Sequence, residues 1–228
     1  MNSIQIAIDG PSGAGKSTMA KLISQKLGIT YLDTGAMYRA LALKAIRSNI
    51  DTHDSEKVSR LLSDFDIRII YVNGSQKVIL NGEDVSDKIR TDEVSMGASN
   101  VSAIPEVRKR LVEFQQEMAS NNSVVMDGRD IGTHVLPKAQ VKIFLTASVA
   151  TRALRRYNEQ KEKGILKKSL EEIEKEIEIR DYNDSHRVAS PLKQADDAVL
   201  LDTSNYSIDE SVEKILEIIR NKGLLDDL

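Results

Sequence analysis

Apolar positions recur in two alternating rhythms along most of this chain. Ile4 to Ile8 is a short, mostly β-branched run ending at Asp9-Gly10-Pro11, which predicts a buried strand leaving a sheet. From about Lys16, Met19, Leu22, Ile23 and Leu27 recur at helical spacing, and Gly28 supplies a stop. A second short strand is expected over Ile29 to Leu32, then a helix from about Thr34 to Ser48. Pro105 suits a first helical turn, with Ile104, Val107, Leu111, Phe114 and Met118 at steps of three and four until Asn121-Asn122. Val124 to Met126 and Val141 to Leu145 are compact apolar runs of the kind found in central parallel strands covered on both faces. The charged stretch from about Ser148 to Arg180 reads as helix interrupted near Gly164, and Ser169 with Glu172 forms a capping box for its second half. Ala198 to Leu201 is the last expected strand. Ser207 with Glu210 then caps a closing helix bearing Ile208, Val212, Ile215 and Ile219. Strand and helix alternate, which predicts an α/β, doubly wound parallel sheet.

The rhythm changes once. Asp66 to Val85 alternates with period two, with Ile67, Ile69 and Tyr71 on one run and Val78 and Leu80 on another, and two Asn-Gly pairs, Asn73-Gly74 and Asn81-Gly82, mark turns. This predicts a small antiparallel meander of about three strands inserted into the α/β chain. There is no internal repeat and no clear linker, so the 228 residues are expected to form one domain with inserted pieces.

Charge narrows the ligands. With 32 basic against 35 acidic side chains and a net charge of -3, no global positive field exists to hold nucleic acid or an anionic membrane, so a polyanion must be gripped locally. The absence of cysteine excludes disulfides, thiolate metal sites and cysteine nucleophiles, and agrees with a reducing cytosol. Aromatics at 4%, with no tryptophan, weigh against base-stacking platforms. No apolar run approaches the roughly 20 residues that span a bilayer, and Met1 to Gln5 lacks the start of a signal peptide. The expectation is a soluble cytoplasmic protein.

One motif supplies the local grip. Gly10-Pro11-Ser12-Gly13-Ala14-Gly15-Lys16-Ser17 fits G-x-x-x-x-G-K-[ST] at every fixed position, between an expected strand and an expected helix. Such a loop turns successive N–H groups inward onto phosphate oxygens, and the helix behind it adds its positive end. Lys16 would reach the β and γ phosphates, the Ser17 hydroxyl would ligate the Mg2+ that travels with the nucleotide, and Thr18 would extend the cradle. The loop alone leaves a GTPase switch, an ATP-driven machine and a small-molecule kinase open. A GTPase needs Asn-Lys-x-Asp, whereas the only Asn-Lys pair, Asn221-Lys222, continues Gly-Leu in the last helix. A large ATPase usually carries an acidic pair after an apolar strand, whereas this strand ends Met126-Asp127-Gly128-Arg129-Asp130. A kinase remains.

A kinase for a phosphorylated acceptor must bring two polyanions together, and buried guanidinium groups are the best means of cancelling their repulsion. Arg39, Arg108 and Arg129 each lie near a strand end or on a helix that follows one, where open α/β sheets bind ligands. Asp127, at the end of an apolar strand, would orient Mg2+ through water. On the late charged stretch Arg152, Arg155 and Arg156 share a helical face, as do Arg180, Asp184 and Arg187. Such a segment would make a lid over ATP.

Assembled, these residues closely resemble the bacterial cytidylate kinases, a family of nucleoside monophosphate kinases. The match includes the run from Ile8 to Ser17, then Asp33-Thr34-Gly35-Ala36-Met37-Tyr38-Arg39, then Met126-Asp127-Gly128-Arg129-Asp130-Ile131-Gly132-Thr133. Ser190-Pro191-Leu192 and Ala195-Asp196-Asp197-Ala198 also fit. The resemblance implies a P-loop fold with a five-stranded sheet, a monophosphate-binding region over about 34–120 that includes a β insert at about 64–90, and a helical lid over about 148–190. It implies that Arg39 and Arg129 hold the phosphate of CMP, with Thr34 and Tyr38 lining the site. Ser99, Arg108, Asp130 and Arg187 would read the cytosine, directly or by positioning one another. Arg180 and Asp184 match positions near the sugar and the transferred phosphate, so Lys16, Arg129 and Arg180 are the expected catalytic residues. The expected reaction is in-line transfer of the γ-phosphoryl group of ATP to CMP or dCMP by a monomer. A kinase preferring UMP or another small acceptor, and a nucleotide-dependent regulator without turnover, are the competing readings.

Overall fold

A computed structural model describes residues 3–72 and 75–224, which divide into two compact units, Met1–Tyr31 with Asn121–Leu228, and Leu32–Ser120. The first unit is built on a parallel sheet. Strands β1 (Gln5–Asp9), β2 (Thr30–Asp33), β6 (Val124–Gly128), β7 (Val141–Thr146) and β8 (Val199–Asp202) lie in the order β2-β6-β1-β7-β8. The central strand β1 buries Ile6, Ala7 and Ile8 completely, as the β-branched run requires of a strand covered on both faces. Helix α1 (Lys16–Leu27) contributes Met19, Ala20 and Ile23 to this core, and helix α8 (Ile208–Asn221) contributes Val212, Ile215, Leu216 and Ile219. Each fully buried isoleucine among them stabilises the fold by about 1.5–3 kcal/mol relative to an exposed one. Ile208, expected on the same stripe, sits at the first position of α8 behind the Ser207 cap and is exposed.

Register decides where chemistry can occur. In the parallel ladder between β1 and β6, Ile8 lies opposite Asp127 and Asp9 opposite Gly128. The phosphate loop therefore leaves β1 beside the Asp127–Asp130 segment, at the carboxyl end of the sheet where open α/β folds bind ligands. The late charged stretch forms a helical hairpin, α6 (Val149–Glu162) and α7 (Leu170–His186), with a small core of Ala153, Ile173 and Ile177. Both expected capping boxes are present: Ser169 with Glu172 opens α7, and Ser207 with Glu210 opens α8.

The second unit centres on α2 (Thr34–Arg47), which buries Met37, Ala40, Leu41, Ala42 and Ala45. Around it pack α3 (Ser55–Arg60), α4 (Asp92–Val101) and α5 (Pro105–Ala119). The expected meander is an antiparallel sheet of β3 (Ile67–Val72), β4 (Ser75–Leu80) and a short β5 (Glu83–Asp84). Asn81 and Gly82 both adopt positive φ, 48° and 85°, as an Asn-Gly hairpin turn demands, while the Asn73-Gly74 turn lies outside the described residues. Ile67, Val78 and Leu80 face the core, but Tyr71 stands out from it. Helices α3 and α4 have no counterpart in the sequence reading. The first is six residues long, and the buried positions of the second include Gly97 and Ala98, so neither carries a strong apolar stripe.

Candidate active site

In the first unit the carboxyl end of the sheet gathers a dense group of ions. Helix α1 opens at Lys16, so Lys16, Ser17 and Thr18 form its first turn directly after the Gly10–Gly15 loop. Lys16 is 6% exposed, and its Nζ donates to the Pro11 carbonyl at 2.7 Å. Burial, and then the nearby Arg129 and Arg180 guanidinium groups, push its pKa well below the ordinary lysine value, opposed in part by Asp127 and Asp184. The Lys16 charge is therefore disfavoured both by burial and by two neighbouring guanidinium groups.

Around that lysine the expected residues converge. Arg129 Nε donates to Asp184 Oδ2 at 2.6 Å, and Arg187 approaches both Asp184, at 4.0 Å, and Asp130, at 3.7 Å. Burial alone would raise the Asp184 carboxyl, but the fields of Arg129 and Arg180 outweigh it and hold it below the usual carboxylate range. The Ser190-Pro191-Leu192 motif closes the end of α7: the Ser190 carbonyl accepts from Arg187 Nε at 2.8 Å, and Leu192 N–H donates to the Asp184 carbonyl at 2.8 Å. Arg152 and Arg155 do not converge as their spacing suggested. Arg152 turns to the Ser12 and Ala147 carbonyls, whereas Arg155 donates to Thr203, next to β8, because residues three apart on a helix diverge by about a sixth of a turn.

Ser17 and Asp127 meet the requirements of a divalent ion that arrives with a nucleotide. The Ser17 hydroxyl donates to Asp127 Oδ2 at 2.8 Å, and the Tyr31 hydroxyl donates to Asp127 Oδ1 at 2.8 Å, so a hard oxygen pair is held at the helix start. Among the described residues no group of three or more His, Cys, Asp or Glu could enclose a metal. One hydroxyl and one carboxylate suit Mg2+, which keeps waters and takes phosphate oxygens.

Asp9 was not singled out by sequence reasoning. It is buried at the end of β1, and its two carboxylate oxygens accept the N–H groups of Ile131 and Gly132 at 2.7 Å each, fixing the single π-helical turn Ile131–Val135 that follows Asp130. Burial, with Asp130 adding to it, pushes its pKa up to about 6 despite those bonds. A carboxyl with a raised folded pKa carries a stability penalty that is fully present above pH 6 and released as pH falls towards 3.8. The melting temperature of the wild type relative to Asp9→Asn is therefore expected to rise between pH 7 and pH 5, read by thermal denaturation. A pH-independent difference would show that Asp9 does not titrate there.

The second unit carries an arginine–aspartate pair of its own. Asp33 caps α2 by accepting Ala36 N–H and takes Arg39 Nη2 at 2.7 Å. Burial acts against the Asp33 carboxylate, yet Arg39 and Arg90 hold its pKa below the ordinary value. Arg39 folds back over the first turn of its own helix, and a Cβ on Gly35 would meet its Nη1 at 3.0 Å, so a larger residue there would push the guanidinium aside by a few tenths of an ångström. Arg39 Nε is buried with no hydrogen-bond partner among the described residues. Thr34 and Tyr38 are buried beside it on α2, and the Arg108 guanidinium stands 5.5 Å from the centre of the Tyr38 ring. Arg108 Nη1 donates to the Ser102 carbonyl at 3.1 Å, and Ser102 Oγ donates to the Ser99 carbonyl at 2.8 Å, so Ser99 and Arg108 are linked through one residue.

The family model described as cytidylate kinase matches residues 6–221 of the chain. The chain belongs to the cytidylate kinase family. The cytidylate kinase of Lactobacillus johnsonii is 55% identical over 219 residues, covering 96% of this chain and 95% of that protein. The cytidylate kinase of Caldicellulosiruptor bescii is 53% identical, covering 96% of each. A solved gluconokinase from Sinorhizobium meliloti, at 13% identity and a TM-score of 0.51 over 98% of this chain and 95% of that one, shares the fold alone. Among the described residues of this cytidylate kinase family member, no helix is long and apolar enough to cross a membrane.

Proposed function

We propose that the chain transfers the γ-phosphoryl group of ATP to CMP or dCMP, giving ADP and CDP or dCDP, as a cytoplasmic monomer acting on free nucleotides. The observation that carries this reading is the buried cluster of Lys16, Arg129 and Arg180 beside the phosphate loop, with Asp184 and Arg187 closing it. Arg39 in the second unit adds a further guanidinium, oriented by Asp33. Residues 34–120 serve as the monophosphate-binding region and 148–190 as the lid.

Phosphoryl transfer depends mainly on position and charge cancellation. The acceptor oxygen of a monophosphate is already anionic, so no strong general base and no covalent enzyme intermediate are needed. The phosphate-loop amides and Lys16 bind the β and γ phosphates of ATP. Arg39 and Arg129 hold the acceptor phosphate, Arg180 lies near the transferred group, and Asp184 orients both Arg129 and Arg187. Ser17 and Asp127 would hold Mg2+, which would supply charge neutralisation on the triphosphate. Ser99, Arg108, Asp130 and Arg187 recognise the base by hydrogen bonding more than by stacking, in keeping with a chain that has no tryptophan. A coupled ADP-release assay across CMP, dCMP, UMP, AMP and shikimate tests the reading. CMP and dCMP are expected to be the best acceptors; a preference for UMP, or tight ATP binding with no acceptor-dependent ADP, overturns it.

A further inference from the structure

One residue of the phosphate loop is held from both sides by an ion pair outside the cluster described above. Arg152, on α6 and 4% exposed, donates from Nη1 to the Ser12 carbonyl at 2.9 Å and from Nε to the Ala147 carbonyl at 2.8 Å. Asp181, on α7, accepts the Ser12 N–H at 3.2 Å through Oδ1 and pairs with Arg152 Nη1 through Oδ2 at 2.5 Å. Both backbone groups of Ser12 are therefore bound by two members of one ion pair, each from a different helix. The approach is close: a Cβ on Gly13 would meet Arg152 Cβ at 3.2 Å.

We propose that Arg152 and Asp181 are positioning residues for phosphoryl transfer, clamping the Ser12 peptide so that the phosphate cradle keeps a fixed register against α7. Asp181 is the neighbour of Arg180 and lies three residues before Asp184, so the contact that holds Ser12 also sets where those two side chains stand relative to the loop. A bound triphosphate misplaced by even about an ångström would lose much of its rate, so a register of this kind has catalytic weight. The clamp is not needed merely to attach the hairpin. The α6–α7 hairpin has its own apolar core, and it is tied down elsewhere by Arg155 to Thr203 and by the Ser148 N–H to Ser204 Oγ. This inference rests on the phosphoryl-transfer reading above.

Steady-state kinetics of Asp181→Ala, Asp181→Asn, Arg152→Gln and the Arg152→Gln/Asp181→Ala double variant test it, with acceptor-free ATP hydrolysis and melting temperature measured alongside. Asp181→Ala is expected to raise the KM for ATP about tenfold and to increase hydrolysis relative to transfer severalfold. Asp181→Asn, which keeps an oxygen for the Ser12 N–H, should recover part of both losses and guards against a folding failure in the alanine variant. The double variant should be little worse than the worse single one, because both remove the same clamp. The proposal is overturned if KM for ATP and the hydrolysis ratio stay within about twofold of the wild type, if the two substitutions act additively, or if the losses only follow melting temperature. Absence of acceptor-dependent ADP in the wild type would instead remove the transfer reading itself.

Discussion

Lys16→Ala should lower kcat by on the order of a thousandfold while leaving the melting temperature unchanged or slightly higher. The first half follows from position. Lys16 opens α1 directly behind the glycine loop, where the proposed reading puts the β and γ phosphates, and it is buried there. Removing one preorganised donor from a water-excluded site costs about a hundredfold to a thousandfold in turnover, and a full charge belongs at the upper end. The second half follows from electrostatics. The Lys16 ammonium is disfavoured by burial and by the Arg129 and Arg180 groups, so its removal relieves repulsion inside the fold. Catalytic loss without loss of stability is the signature to look for, using the ADP-release assay and thermal denaturation together. A kcat within about tenfold of the wild type, or a fall in melting temperature large enough to unfold the variant, would refute the role assigned to Lys16.

The same physics explains which features the residues disclose on their own. The strand, glycine loop and helix from Ile4 to Leu27 were legible because each step has a local cause: a β-branched run, backbone freedom at glycine, then a helical stripe ended by Gly28. The capping boxes at Ser169 and Ser207 were legible for the same reason, since a cap is made within four residues. The grouping of Arg180, Asp184 and Arg187 also followed from helical spacing, and the structure adds Arg129, the residue after β6, as their partner. Long-range pairings were not legible. Asp9 meets Ile131 and Gly132 across more than a hundred residues, and Asp181 meets Ser12 across 169. Nothing local marks either aspartate, because a carboxylate after a strand or on a charged helix reads equally well as a cap or a solvated side chain. Arg152 and Arg155 show the opposite failure: shared spacing implied a shared ligand, but each long side chain took a backbone oxygen that its own direction allowed.

Both units set arginine against buried aspartate. Asp184 faces Arg129, Arg180 and Arg187, and Asp33 faces Arg39 and Arg90. A carboxylate that is fully ionised in such company fixes the direction of a guanidinium without neutralising the group as a whole. The net charge of -3 therefore conceals two local groupings of arginine with aspartate.

Arg39→Ala is expected to reduce kcat/KM for CMP by about a hundredfold to a thousandfold, with KM for ATP nearly unchanged. Truncating one charged partner of a desolvated pair costs roughly 2–5 kcal/mol, and each 1.4 kcal/mol is about tenfold. Arg39 meets that condition: one edge of its guanidinium is engaged by Asp33 at 2.7 Å, and its buried Nε has no partner among the described residues and remains available for an anion. Arg39→Lys should recover only part of the loss, because a point charge cannot both pair with Asp33 and present a planar fork to phosphate. Stability gives a second reading of the same contact. The folded pKa of Asp33 is depressed, so its contribution is present above the unfolded pKa and is lost as pH falls through the folded value. Without Arg39 that contribution shrinks to what the Ala36 N–H and Arg90 supply. The melting-temperature deficit of Arg39→Ala should therefore be full at pH 7 and should narrow as the solution is acidified below the ordinary aspartate range. Wild-type CMP kinetics, or a rise in KM for ATP as large as that for CMP, would show that Arg39 does not hold the acceptor phosphate.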